Sequence, residues 1–193
     1  ALAQASEGDW DRGMEESLKK WLGDTPQDSD VLMSLGLLAK KTGDFKTALE
    51  YYGKALGSSV QGQLQARLHV NMGNALMGLG DAEGAMKEYK KAIALAPNMV
   101  SAYYNLGQVS LKKGIIEGEE SLRKAKELDP ELTGYYTEIY SSNLNRLLID
   151  ENLPVDVLFQ RFVLPSPQKD QIMNGLFLSC LLYTSPSPRD RTR

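Results

Sequence analysis

The sequence has little of what metal binding and nucleophilic catalysis draw on. Among 193 residues there is one cysteine and one histidine. A single cysteine excludes a disulfide framework and a cysteine-rich zinc site. A lone histidine leaves little room for a catalytic triad or a histidine-based metal centre. Neither charge is in strong excess, with 22 Lys and Arg against 25 Asp and Glu. Such a mildly acidic chain has no basic face to outweigh phosphate repulsion, which argues against a general nucleic-acid binder. Long apolar runs are missing too. The one apolar onset near the end, Gly175-Leu176-Phe177-Leu178, falls far short of the roughly 20 residues that a membrane-spanning helix needs. What is present is an ordinary globular composition, 42% apolar and 24% charged. At this length it suits one domain or a short repeat array rather than two large domains.

Neither end reads as a native end. No initiator methionine opens the chain, and Ala1 to Ala5 already read as the middle of an amphipathic helix. At the other end, Cys180-Leu181-Leu182-Tyr183-Thr184-Ser185-Pro186-Ser187-Pro188-Arg189-Asp190 resembles the in-frame translation of a transposon-type sequencing adapter, and Arg191 to Arg193 would then be index sequence. Residues 180–193 are therefore expected to be non-native and are set aside in reading fold and function. Without them the chain has no cysteine and is more acidic still. Cysteine usage then says nothing of the redox compartment, which leaves a cytoplasmic or a membrane-associated location open.

An internal period of about 34 residues organises the rest. Leu35-Gly36, Met72-Gly73 and Leu106-Gly107 align, with glycines 37 and 34 residues apart. Ala48 and Ala85 stand twelve residues after the first two glycines, and Ala55 and Ala92 nineteen after them. Gly43-Asp44 and Gly80-Asp81 follow the same glycines by seven residues, while Pro97 and Pro130 close the second and third units. Leu32, Leu35 and Leu38, then Ala48, Leu49, Tyr52 and Leu56, recur at helical spacing. Each unit is thus expected to be a helix, a Gly-Asp turn and a second helix. A glycine inside a helix costs about 0.5–1 kcal/mol relative to alanine. Its return to one slot predicts close approach by the partner helix, with the second-helix alanines as the complementary small surface.

These columns resemble the tetratricopeptide repeat. The match rests on Gly36, Gly73 and Gly107, on Ala48 and Ala85, on Ala55, Ala92 and Ala125, and on Pro97 and Pro130. Tyr103-Tyr104-Asn105-Leu106-Gly107 is close to the family's first-helix consensus. The resemblance implies an all-α fold, an α-solenoid of helix-turn-helix repeats with C-terminal capping helices. On this reading residues 1–28 are the second half of a unit, with Gly8-Asp9 its turn and Met14 to Leu22 its second helix. Full units follow at 29–65, 66–99 and 100–132. The first lacks the closing proline and carries three extra residues. The third is one residue short near Ile115 and has Gly118 where alanine is expected. Residues 133–165 are read as capping or docking helices, with Tyr140 in the glycine slot. They comprise a helix from about Thr133 to Leu148 and a short one from Leu153-Pro154 through about Val163. Ser166 and Pro167 then open the start of a truncated segment, 166–179.

No constellation in the sequence carries chemistry. His69 lies on the first helix of the second unit, where packing is the expected role. Glu15-Glu16 and Glu119-Glu120 fall on second helices, and adjacent helical residues point about 100° apart, so the carboxylates do not converge. Asp28, Asp30, Asp44 and Asp81 are expected to cap helices and turns, since the ligand spacing of a calcium loop is absent. The glycines between Gly73 and Gly80 lack the strand and the Lys-Ser/Thr ending of a phosphate loop. The tyrosines lack the Arg/Lys stripe of a nucleic-acid stacking surface. No nucleophile–base pair is visible, so neither an enzymatic activity nor a cofactor is expected of this stretch.

The resemblance also implies a concave groove lined by first helices. Its lining would be Met33, Leu37 and Lys41 in the first unit and Arg67, Val70, Asn71, Asn74 and Met77 in the second. The third would add Tyr104, Asn105, Gln108, Leu111 and Lys112. Amides at Asn71, Asn74, Asn105 and Gln108 suit a partner's backbone, and Met33, Met77 and Leu111 offer adaptable apolar contact. The carboxylate-clamp form of the groove is poorly matched, with only Arg67, Asn71 and Asn74 in place. The expected function is a scaffold that binds an extended peptide or a helix of another protein. Two other readings stand beside it: the soluble arm of a membrane protein, with any membrane contact made through the part beyond residue 179, and the substrate-recruiting region of an enzyme whose catalytic domain lies elsewhere.

Overall fold

The computed structural model describes residues 7–142. Eight α-helices fill that span: α1 (Glu7–Asp24), α2 (Ser29–Lys41), α3 (Phe45–Gly57), α4 (Gly62–Gly78), α5 (Ala82–Leu95), α6 (Val100–Lys112), α7 (Glu117–Leu128) and α8 (Pro130–Ser142). Each packs on its successor, so that α2/α3, α4/α5 and α6/α7 are antiparallel pairs and the described chain forms an all-α solenoid. The helices expected beyond Ser142, and the adapter-like residues, lie outside the described residues.

Local chemistry sets where the helices begin. Asp28 accepts hydrogen bonds from the backbone N–H of Asp30 (3.0 Å) and Val31 (3.3 Å) at the start of α2. Asp44 accepts from Thr47 N–H (3.2 Å) ahead of α3, and Asp81 from Gly84 N–H (2.8 Å) ahead of α5. These satisfy backbone donors that the first helical turn leaves unpaired. The turns themselves need left-handed backbone, supplied by Gly43 at φ +83° and Gly80 at φ +82°. Pro130 is the first residue of α8 rather than only the end of the preceding unit, and Asp129 caps that helix by accepting from Leu132 N–H at 2.9 Å.

One element departs from expectation. Gly8 and Asp9 lie inside the first turn of α1, not in a turn between two helices. Glycine at a helix start disrupts few intrahelical bonds, and an acidic residue there meets the positive end of the helix dipole. The Gly-Asp pair alone therefore does not compel a turn.

The core is layered along the stack. Met33, Leu32, Ala48, Tyr52, Ala55, Leu68 and Ala75 form one buried cluster that spans the first and second units. Ala66, Val70, Ala85, Tyr89, Ala92, Ala102, Leu106 and Val109 belong to a second cluster that spans the second and third. The repeated glycine slot holds a ring rather than a second helix backbone. A Cβ at Gly36 would stand well inside van der Waals contact with the Tyr52 ring, and one at Gly73 would meet the Tyr89 ring in the same way. In the third unit Leu122 takes the tyrosine's place, and the backbones close up. There a Cβ at Gly107 would lie 2.9 Å from the Gly118 carbonyl, and one at Gly118 would lie 2.8 Å from the Gly107 carbonyl. The missing residue near Ile115 and the absent alanine methyl at Gly118 thus serve one closer crossing.

Gly73→Ala should cost about 1–3 kcal/mol through overpacking, read as a lowered thermal midpoint. Gly53→Ala, at an exposed helical site with nothing within 4 Å of the new methyl, should stabilise by about 0.5–1 kcal/mol. Hydrogen bonds from Thr47, side chain first and backbone second, hold the Asp44 carboxyl below its ordinary range. Its capping contribution is therefore complete above the ordinary carboxylate range and is lost as pH falls through the lowered value. An NMR titration of the Thr47 amide should report that loss.

Candidate protein-interaction surface

The first helices α2, α4 and α6 bring the expected groove residues onto successive units, but they divide them by burial. Met33 and Val70 are fully buried and belong to the core clusters, so they are packing residues and not groove contacts. The cause is that each first helix must also supply the apolar contacts between units, and methionine and valine serve that purpose best. Tyr104 is buried as well and meets Tyr136 of α8 edge to face, with ring centroids 5.5 Å apart at 63°. Leu111 lies against the start of α7, its Cγ 2.9 Å from the place a Cβ would take at Gly118.

Two of the expected amides are tied into the stack. Tyr89 donates its hydroxyl to Asn74 Oδ1 at 2.8 Å, and Asn105 donates its Nδ2 to the same oxygen at 3.1 Å. This buried ladder runs from α5 through α4 to α6 and joins the second unit to the third. The oxygen of Asn74 is committed to two protein donors, a role different from the expected bond to a partner's backbone. Asn71 is also fully buried. Leu37, Lys41, Arg67, Met77 and Gln108 are half-buried, and Lys112 is exposed. Lys41 is bridged to Asp11 at 2.8 Å, which fastens the end of α2 to α1.

His69 does more than fill space. Its Nδ1 lies 2.6 Å from Glu88 Oε2 across the α4/α5 pair, and Lys91 donates to Glu88 Oε1 at 2.7 Å. Both His69 and Glu88 are buried. An ionised carboxylate only accepts, so a charged Glu88 in this contact requires the Nδ1 position to carry a proton. Glu88 balances a partly exposed lysine against that buried ring, a structural role within the helix pair. Among the described residues no group of three or more His, Cys, Asp or Glu is placed to hold a metal ion. No described helix is long and apolar enough to cross a membrane.

Tyr52 stood in the apolar helical pattern of the first unit, but its seat on Gly36 and that of Tyr89 on Gly73 were not expected, and Glu88 was not singled out at all. The tyrosines had a signal: each stands sixteen residues after its unit's glycine, from Gly36 to Tyr52 and from Gly73 to Tyr89. Glu88 had none, because its partner lies on another helix.

The fold and this surface define a class, an α-solenoid of paired helices with its first helices side by side. Residues 29–59 match the family model for the tetratricopeptide repeat, and residues 66–114 match a second model described as TPR repeat. Over those residues the chain carries tetratricopeptide repeats. It is 35% identical over 79 residues to the photosystem I assembly protein Ycf3 of Prochlorococcus marinus (strain NATL1A), covering 41% of this chain and 46% of that protein. The chain therefore spans about half the length of that relative. The crystal structure of MamA superposes with a TM-score of 0.57 at 21% identity, over 90% of this chain and 92% of that one. YrrB, described as a TPR protein with an unusual peptide-binding site, superposes with a TM-score of 0.51 at 20% identity, over 70% of this chain and 73% of its own. At such identities the two structures bear on the fold alone.

Replacing Asn74 by leucine leaves a buried tyrosine hydroxyl and a buried amide without their shared acceptor, a loss of about 1–3 kcal/mol. Tyr89→Phe removes only one donor and should cost less. Urea titrations of the two variants should rank them in that order.

Proposed function

We propose that the chain is a protein-interaction scaffold whose partner lies as an extended segment along the first helices. The observation that carries this reading is the succession of partly open side chains on those helices: Leu37 and Lys41 on α2, Arg67 and Met77 on α4, Gln108 and Lys112 on α6. A segment crossing three units meets apolar, cationic and amide groups in turn. Main-chain bonding then supplies affinity, and the apolar side chains supply the adaptable part of the contact. The Asn74–Asn105 bond supports it by holding α4 and α6 in fixed register, so the partner does not have to order them on binding. YrrB's description as peptide-binding and Ycf3's as an assembly protein fit the same role. The reading concerns binding and assigns no reaction.

A photo-crosslinking side chain in place of Gln108 should capture a protein partner, whereas one in place of Lys90, on the exposed side of α5, should not. With the captured segment then prepared as a pure peptide, Arg67→Ala together with Gln108→Ala should weaken binding roughly tenfold, the scale expected when one or two polar interface contacts are lost. Equal capture from both positions, or unchanged affinity in the double variant, would remove the first helices as the binding face.

A further inference from the structure

The inner side of the first helices is drier than an open groove allows. On α4, His69 and Gly73 turn to α5, Leu68 and Ala75 to the core shared with the first unit, and Ala66 and Val70 to the core shared with the third. At about 100° per residue, Arg67 and Asn71 stand on the remaining side. Yet Asn71 is 0% exposed and Arg67 is half-buried. On α6, Gly107 turns to α7, and Ser101 and Asn105 on the far side are 1% and 0% exposed. The Asn105–Asn74 bond accounts for one pair of amides, but a single pair does not keep water from a whole helix face. Polar side chains are sealed in this way where groups that bond them lie over them. The face opens only toward the other end of the helices, at Leu37, Met77, Gln108 and Lys112.

The same side is of one sign. The chain as a whole has 22 basic against 25 acidic residues, but α2, α4 and α6 hold Lys40, Lys41, Arg67 and Lys112 against the carboxylate of Asp30. Lys41 is answered by Asp11 of α1, so Arg67 and Lys112 set the sign of the second and third units. A matching ligand is acidic and apolar by turns, and the chain itself carries such a stretch beyond α8. Asp150-Glu151-Asn152-Leu153-Pro154-Val155-Asp156-Val157-Leu158-Phe159 has three carboxylates, no cation and five large apolar side chains. It lies outside the described residues, and it is within reach. Helix α8 packs on α6 and α7, so the chain leaves Ser142 beside the third unit, with seven residues before Asp150. Ten residues span up to about 33 Å. Packed helices lie about 8–10 Å apart, so the stretch is long enough to pass from α6 across α4 to α2.

We infer that the first-helix face is closed by this chain's own residues 150–159, which act as a tethered stand-in for the partner. The inference rests on the reading of that face as the binding surface, and it adds how the surface is regulated. Carboxylates of the segment would meet Arg67 and Lys112, and its apolar side chains would lie against Leu37 and Met77. Tethering gives the segment a roughly millimolar local concentration. A partner therefore binds with its affinity reduced by the fraction of chains whose face is open.

The test uses the whole chain as a dilute monomer. A photo-crosslinking side chain in place of Gln108 should join to a site within 150–159, in a product of monomer mass, as read by peptide mapping. Asp150→Lys, Glu151→Lys and Asp156→Lys together should remove that crosslink. A labelled synthetic peptide of residues 150–159 should then bind the charge-reversed chain roughly tenfold or more tightly than the wild-type chain, because the tethered copy no longer competes. In the reversed chain, Lys112→Glu should weaken that peptide about fivefold or more, and Lys90→Glu on the exposed side of α5 should leave it unchanged. A crosslink to any other segment or to a second copy, no crosslink, or equal peptide binding by the two chains overturns the inference. The two readings fail separately. If Gln108 captures another protein equally from wild-type and reversed chains, the face binds partners without its own segment regulating it. Capture by neither chain removes the binding face and the inference with it.

Discussion

The rest of the structure depends on how closely the two helices of one unit approach. In the first two units the distance is set by an aromatic ring lodged over a glycine, Tyr52 on Gly36 and Tyr89 on Gly73. The ring is large enough to fill the crossing and rigid enough to fix it, while the glycine gives up helix propensity to make the space. The buried alanines Ala48, Ala55, Ala85 and Ala92 then let the second helices nest without spreading the pair. In the third unit the ring is gone and two glycines bring the backbones together instead. One constraint is met by two different solutions, and everything outside the crossing inherits the resulting helix positions.

Tyr89 also shows how packing and polarity are joined. The ring sets the α4/α5 distance, and the hydroxyl at its far end reaches Asn74, whose oxygen receives Asn105 from the next unit. A residue that fixes the shape of one repeat thereby fixes its angle to the following one. Low local dielectric strengthens such a ladder and makes leaving it incomplete costly. The His69–Glu88 contact works on the same helix pair from another direction. The second unit is consequently braced from two directions, and it sits between the other two.

The repeat was legible because its signals are local or periodic. Gly43 and Gly80 mark turns by a backbone need that few other residues meet, and Asp44 and Asp81 mark helix starts by a capping bond made within three residues. Gly8-Asp9 misled because the same dipeptide is at home in a helix's first turn. The candidate surface was less legible for a different reason. Helical spacing tells which residues of α4 share a stripe, but Val70 and Met77 stand about two turns apart on one such stripe, and only the packing of α5 and α6 decides that Val70 is sealed and Met77 is partly open. Asn74 likewise reads as a groove amide until Tyr89 and Asn105 are placed beside it. Pairings across 15 and 31 residues leave no mark in a single sequence.

Those separations bear on how the chain acquires its structure. The bonds that link the second unit to the third, from Asn105 to Asn74, from Lys113 to Glu83 and from Ser110 to Met86, join residues 31, 30 and 24 apart. A low contact order of this kind asks the chain to close only short loops before each contact is gained, which favours rapid folding. It also means that a unit can form beside a neighbour already in place without waiting for the far end of the array. A nascent chain emerging from synthesis would then gain its native bonds in nearly the order in which its residues appear.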